Sequence, residues 1–247
     1  MATLENKILG DVGGRIGNLV GRRRKGKYFI YEMPAQIKVS NSLEAKKSRA
    51  LLGSVSKFAS IVNNIPELKY IWGNRPNETF DAFHKIEKEN FKFIIPERPT
   101  IMNFITPRGA AESPIMESNI SSRGIKLKII ITEAISGQFE GAKELCGVGV
   151  ICFFNPDEGG NDYFRLSKIR ADAVMAKVGE LIEVGIPFYE EERNNFKSYR
   201  NSILYFTFIA KSAEGVPVVW SENYRSEFTN ECESEERERF SIRDSQP

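Results

Sequence analysis

The stretch from Gly10 to Pro34, GDVGGRIGNLVGRRRKGKYFIYEMP, most constrains how this chain folds. Two glycine-spaced apolar runs flank a very basic centre. Ile16, Asn18 and Val20 alternate with Gly17, Leu19 and Gly21, and Tyr28 and Ile30 alternate with Phe29 and Tyr31. That period of two is strand chemistry. It predicts a β-hairpin with one strand from about Arg15 to Arg23, a turn near Lys25-Gly26 and a return strand over Lys27–Glu32. Gly26 suits the positive φ of a tight turn. Pro34 ends the return strand, because proline cannot donate to a ladder. The hairpin is thin, and an isolated two-stranded hairpin is marginal in water. It therefore has to dock on something, in this chain or in another.

Helical spacing follows. Asn41 with Glu44 reads as a capping box. Leu51, Val55, Phe58, Val62 and Ile65 then lie on one helical stripe. Pro66 is read as the helix stop, and PELKYIWGNRPN as a turn-rich link. A second helix is expected from about Asn77 to Phe91, with Phe80, Phe83 and Ile86 facing inward. From Phe93 to Ser122 prolines interrupt the chain, which predicts an extended connection with at most one short strand.

The remainder reads as β. In Gly124-IKLKIIITEA, Ile125, Leu127, Ile129 and Ile131 alternate with lysines, the mark of a half-buried strand. Further runs cover Leu145–Phe154, Tyr163–Val174, Glu180–Tyr189, Ser202–Lys211 and Val216–Tyr224, with EEERNNFKSYR taken as a charged loop. The fold expected is α+β: an N-terminal β-hairpin with two helices, then an antiparallel β-sandwich like an immunoglobulin or fibronectin-III domain. The domains expected are residues 1–110, a linker at 111–122, the sandwich at 123–229 and a charged tail at 230–247.

Charge is unevenly spread. Residues 1–50 carry eleven Lys/Arg against four Asp/Glu, giving +7, while residues 225–247 carry four Arg against seven Asp/Glu, giving −3. This asymmetry fits end-to-end contact between copies, or an anionic partner for the basic end. No apolar run approaches the roughly 18 residues of a membrane span. No secretory signal is read at the N-terminus, so cytoplasmic synthesis is expected, with a final location in a virion or extracellular assembly as one outcome. Cys146, Cys152 and Cys232 make an odd number, which argues against a disulfide framework.

Few residues invite chemical readings. The glycines before Arg22 lack the Gly-Lys-Ser/Thr ending of a phosphate loop, and no strand–loop–helix context surrounds them. His84 has no second ligand at metal spacing and reads as a helix-surface histidine. Asn155, Asp157, Asn161 and Asp162 are imperfectly spaced for calcium and read as a solvated hairpin loop. No catalytic constellation is visible, so no enzyme activity and no cofactor is expected. The sharp feature is electrostatic: Arg22, Arg23, Arg24, Lys25 and Lys27 beside Tyr28. A basic hairpin tip can hold phosphates, with Tyr28, Phe29 and Tyr31 stacking on bases. It can equally solubilise the hairpin or meet the acidic end of another copy.

The opening MATL, the segment GGRIGNLVGRRRKGK-YFIYEMP and the helix SLEAKKSRALLGSVSKFASIV together resemble an uncharacterised bacterial family of unknown function. Its members share an N-terminal M-A-x-L…G-x-x-G-N-x-V-G…G-K…P pattern, and NETFDAFHKIEKENF resembles their second helix. The resemblance covers about residues 1–110. Ser42 to Arg49 and the triple arginine Arg22–Arg24 are more basic than that pattern. The resemblance supplies no catalytic residues and implies a structural or surface-assembly protein.

The function expected is therefore non-enzymatic assembly, as a homo-oligomer or in a larger particle such as a phage virion or filament. The hairpin would add to a neighbour's sheet, with Gly17 and Gly21 permitting close approach. The alternative is a nucleic-acid-binding module that uses the basic tip.

Overall fold

The computed structural model describes the chain except residues 1, 5–13, 25–26, 34–38, 75–79, 108–110, 140–141, 143, 158–161, 176 and 231–247. The fold is α+β, and its sheets are built from antiparallel strand pairs. The chain divides into two compact units, Met1–Lys46 and Lys47–Pro247. The division falls between Lys46 and Lys47. The reason lies in how the second unit is packed.

In the first unit, β1 (Ala2–Leu4), β2 (Gly14–Ile16), β3 (Leu19–Arg24) and β4 (Lys27–Glu32) form a four-stranded sheet in the order β1-β4-β3-β2. The hairpin exists as β3 and β4, and its turn at Lys25-Gly26 lies outside the described residues. The strand expected over Arg15–Arg23 is interrupted. Gly17 and Asn18 turn the chain between Ile16 and Leu19, which pair directly. Gly17 has φ +61° while Asn18 stays at negative φ, the signs of a type II′ turn with glycine at its first central position.

The second unit is a three-layer arrangement. A helical layer contains α1 (Leu43–Asn63, continuing from the first unit), α2 (Pro66–Gly73) and α3 (Ala82–Asn90). Ser42, not Asn41, caps α1, its Oγ accepting from the Ala45 amide at 3.2 Å. Val55, Phe58 and Val62 are buried as the stripe requires. Pro66 begins α2 instead of ending the helical region, since proline is tolerated where the first-turn amide has no partner anyway. The second expected helix starts later, at Ala82, with Asp81 as its cap; Ile86 is buried, but Phe80 is exposed.

The middle layer is a six-stranded sheet. It contains β7 (Glu144–Pro156), β8 (Phe164–Arg170), β9 (Val174–Met175), β11 (Tyr199–Lys211), β12 (Pro217–Trp220) and β13 (Tyr224–Thr229). Its path is β12-β11-β7-β8, with β13 also on β11 and β9 on β7. The third layer is the sheet β10-β6-β5, made from β10 (Leu181–Pro187), β6 (Gly124–Ile130) and β5 (Ile115–Ser121).

Burial on both faces explains why β7 and β11 read as nearly continuous apolar runs. Val148, Val150, Cys152 and Phe154 of β7 join Ile203 and Tyr205 of β11 in one core with the helices. Leu145, Ile151 and Phe153, with Leu204, Phe206 and Phe208, face the three-stranded sheet in a second core. The helices thus share a core with the middle sheet and belong to the same unit as the strands. Besides α2, two short helices were not expected: α4 (Glu133–Gln138) and α5 (Glu190–Ser198), the latter in a segment expected to be a charged loop. A single buried side chain, Phe196, anchors α5.

Candidate assembly surface

The first unit is a sheet without a core of its own. Among its described residues only Gly21 is buried, and glycine brings no side chain. Ile16 is 70% exposed, Leu19 46% and Tyr31 37%. Directly paired residues share a face. Gly14, Gly21 and Ile30 therefore form one cross-strand row, and Ile16, Leu19 and Glu32 another on the same face. Two neighbouring glycines leave a flat spot beside Ile30 where a second backbone can approach closely. The opposite face carries Arg15, Val20 and Tyr31, then Arg22 opposite Phe29.

The expected contact residues distribute over this sheet. Arg22 and Arg23 are exposed on β3, Lys27 is exposed on β4 and Tyr28 is half-buried. The Arg23 guanidinium lies 5.4 Å from the centre of the Tyr28 ring, opposite it in register. Arg24 is in β3, and Lys25 lies outside the described residues. Among the described residues no carboxylate forms an ion pair with Arg22 or Arg23. Gly21 occupies the close-approach position. Gly17 instead forms the turn, where Met33 N donates to Asn18 O at 2.6 Å and Asn18 Nδ2 donates to Glu32 Oε1 at 2.6 Å.

The other chemical readings find ordinary partners. His84 is exposed, its Nδ1 2.8 Å from the Asp81 cap carboxylate. In the loop considered for calcium, Asp157 accepts from Arg200 at 2.7 Å and Asp162 pairs with Arg165 at 2.7 Å. Asn155 donates to Asn201 at 2.8 Å, and Asn161 lies outside the described residues. Among the described residues no cluster of three or more His, Cys, Asp or Glu is placed to hold a metal ion. Cys146 and Cys152 are free thiols, both raised by burial, and Cys232 lies outside the described residues.

One charged constellation was missed from the sequence. Glu67, in the first turn of α2, has a side chain only 7% exposed; its Oε1 accepts from Arg170 at 2.6 Å and from Lys211 at 2.8 Å. Its partners lie 103 and 144 residues away, and no local signal points to them.

Among the described residues, no helix is long and apolar enough to cross a membrane. No protein-family model matches the chain, and no curated protein is significantly similar to it.

Proposed function

We propose that the protein is a non-enzymatic structural component that assembles with copies of itself, within a larger particle such as a phage virion or a filament, through the sheet of residues 1–46. The observation that carries this reading is that no side chain of the sheet is fully buried among its described residues, Val20, Phe29 and Ile30 being half-buried, while Ile16, Leu19 and Tyr31 are exposed beside a glycine row. Sheets of this size need apolar cover to be stable.

Magnitude decides the mode of contact. Two strands of six residues and two of three, about 4.8 Å apart, present a face of roughly 300 Å² at about 3.3 Å per residue. A stable interface takes about 800 Å² from each partner. One face is too small alone, so a neighbour encloses both faces or adds a strand at the edge, where main-chain hydrogen bonds contribute. Charge supports contact between unlike ends, since residues 1–50 carry +7 and residues 225–247 carry −3.

We further propose that residues 1–110 are related to the uncharacterised bacterial family they resemble, a relation that implies a structural role. We also class the paired sheets with immunoglobulin-like or fibronectin-III-like sandwiches. Two antiparallel sheets around a shared core support that class, and the helical layer is then an addition to its outer face.

Light scattering of the full chain and of a chain lacking residues 1–33 tests the proposal. Oligomers that disappear on deletion are expected. A monomer at high concentration, unchanged by the deletion, sinks it.

The exposed Arg22, Arg23 and Lys27 favour a second reading, binding of nucleic acid. That reading requires affinity that falls steeply with salt and collapses when Arg22, Arg23, Arg24, Lys25 and Lys27 are neutralised.

A further inference from the structure

We propose that the open edge of β13 pairs antiparallel with the β13 edge of a second copy, around a two-fold axis through Ser226, so that the six-stranded sheets of two copies become one. The inference deepens the assembly reading and rests on it in taking the neighbour to be another copy of this chain.

The first observation is the edge itself. β13 pairs only with β11 among the described residues. β12 lies on the same side of β11, but there the chain at Ala111 bridges Ser221 and covers the edge. The open length is therefore Tyr224–Thr229. Asn230 N donates inward to Arg200 O, and antiparallel ladders alternate. With Asn201 opposite Thr229, the even-numbered residues of β13 spend their main-chain groups on β11. Arg225, Glu227 and Thr229 turn theirs outward, a template for another strand.

The second observation is that the strand is complementary to itself. Tyr224-Arg225-Ser226-Glu227-Phe228 reads aromatic, cation, serine, anion, aromatic. Laid antiparallel on a second copy with Ser226 opposite Ser226, Arg225 meets Glu227 and Tyr224 meets Phe228, each pair occurring on both sides of the axis. Opposite charges and aromatic pairs directly across strands are favourable. Arg225 and Glu227 are also residues with outward main-chain groups, so the register that pairs the charges is one that closes the hydrogen bonds. The two neighbouring two-fold registers with the same main-chain match place Arg225 on Arg225 or Glu227 on Glu227.

The third observation is that these charges are not already spent. Arg225 and Glu227 are exposed, and neither forms an ion pair among the described residues. Arg225 makes a 3.4 Å contact to the Met102 carbonyl. On the other face of the strand, half-buried Tyr224 and Phe228 pack against the core shared with the three-stranded sheet, and Tyr224 Oη lies 2.9 Å from Ser118 Oγ of β5. Ser226 between them is small and leaves the space at the axis to the rings.

The opposite edge of the sheet shows the contrast. β8 carries Arg165, Lys168 and Arg170 and no carboxylate; Asp162 and Glu67 already hold two of the three cations. Two copies of β8 would bring like charges together, a usual way to blunt an edge. On β13 one cation and one anion cancel, and their order favours a second β13. A single strand edge this short falls below the roughly 800 Å² that a stable interface takes from each partner. The seam therefore adds to the contact made by residues 1–46.

The test uses the full chain with Ser226→Cys. Residues opposite each other in a non-hydrogen-bonded pair have Cα atoms about 4.5 Å apart, within reach of a disulfide. Mild oxidation should give a covalent dimer in which peptide mapping finds position 226 joined to position 226. In the otherwise unaltered chain, Arg225→Glu and Glu227→Arg each make an edge of one sign and should raise the concentration needed for assembly severalfold. Mixing the two variants, or combining both changes in one chain, should restore it. Oligomers of the full chain without the 226–226 disulfide, or without rescue on mixing, overturn this proposal and leave the hairpin reading standing. A 226–226 disulfide that forms equally well in the chain lacking residues 1–33 supports the seam and removes the hairpin reading. A chain that is monomeric throughout overturns both.

Discussion

Arg170 at the end of β8 donates to Glu67 in the first turn of α2 across 2.6 Å, tying the helical layer to the middle sheet. Lys211 of β11 reaches the same oxygen. Burial pushes the Glu67 carboxyl up, but the hydrogen bonds from Lys211, from its own backbone amide and from Arg170 together hold it below the ordinary value of 4.5. A lowered folded-state pKa stabilises the fold above the unfolded value and loses that contribution as pH falls through the folded one. Glu67→Gln should cost about 1–3 kcal/mol at neutral pH. The gap to the unaltered protein should close as pH falls below 4.5, a trend that denaturant melts at several pH values will read.

Asn90 fixes the irregular segment after α3. It is fully buried; its Oδ1 accepts from Phe104 N at 2.9 Å and Asn103 Nδ2 at 3.0 Å, and its Nδ2 donates to Phe104 O at 3.0 Å. Asn90→Ala strands these groups away from water, and each such loss costs about 1–3 kcal/mol. A thermal midpoint lowered by several degrees is expected. An unchanged midpoint would show that the segment is held elsewhere.

Gly147 and Gly149 leave room on β7 for the Phe206 ring. A Cβ at Gly147 would lie 2.7 Å from Phe206 Cζ and 2.9 Å from Ala171 Cβ, and one at Gly149 would meet the Tyr205 carbonyl. Gly149→Ala should therefore destabilise by about 1–3 kcal/mol, the usual cost of overpacking. Gly137→Ala, with open space around it, is the control.

Cys152 is fully buried, and its thiol is pushed well above the ordinary cysteine range. The thiolate is the reactive form. An aromatic disulfide reagent should leave Cys152 unmodified in the native protein and label it only when denaturant is added. Labelling at native rates comparable to a free thiol would contradict the described core.

Ile16 and Leu19 project from a sheet that has no core beneath them. Replacing both with serine should shift the oligomer equilibrium toward monomer by tenfold or more. The melting of the second unit should stay unchanged. A chain that assembles as before would remove these two side chains from the interface.

The stripe on α1 and the alternation on β6 were legible because each element buries a single face, so its period appears directly in the sequence. The runs of β7 and β11 were legible as strands. Their second covered face was not, because two-sided burial erases the alternation that assigns a partner. α2 was hidden by Pro66, which reads as a stop from one side and as a first-turn residue from the other. α5 shows no apolar period, since Phe196 is its one anchor. At the assembly surface, the basic residues and Gly21 were legible as types. The turn at Gly17-Asn18 was not, because alternation continues unbroken through it. Glu67 was invisible locally, since its cations arrive from strands more than a hundred residues later.

β7 and β11 each run thirteen residues and pair along almost their whole length, with packed layers on either side. Their amides are shielded from solvent until one of those layers lifts. Hydrogen exchange should accordingly proceed from the outside inward, with the four-stranded sheet of residues 1–46 first, the outer faces of the second unit next and this strand pair last. A neighbour gripping the first unit would slow its exchange while leaving the protection of the central pair unaltered.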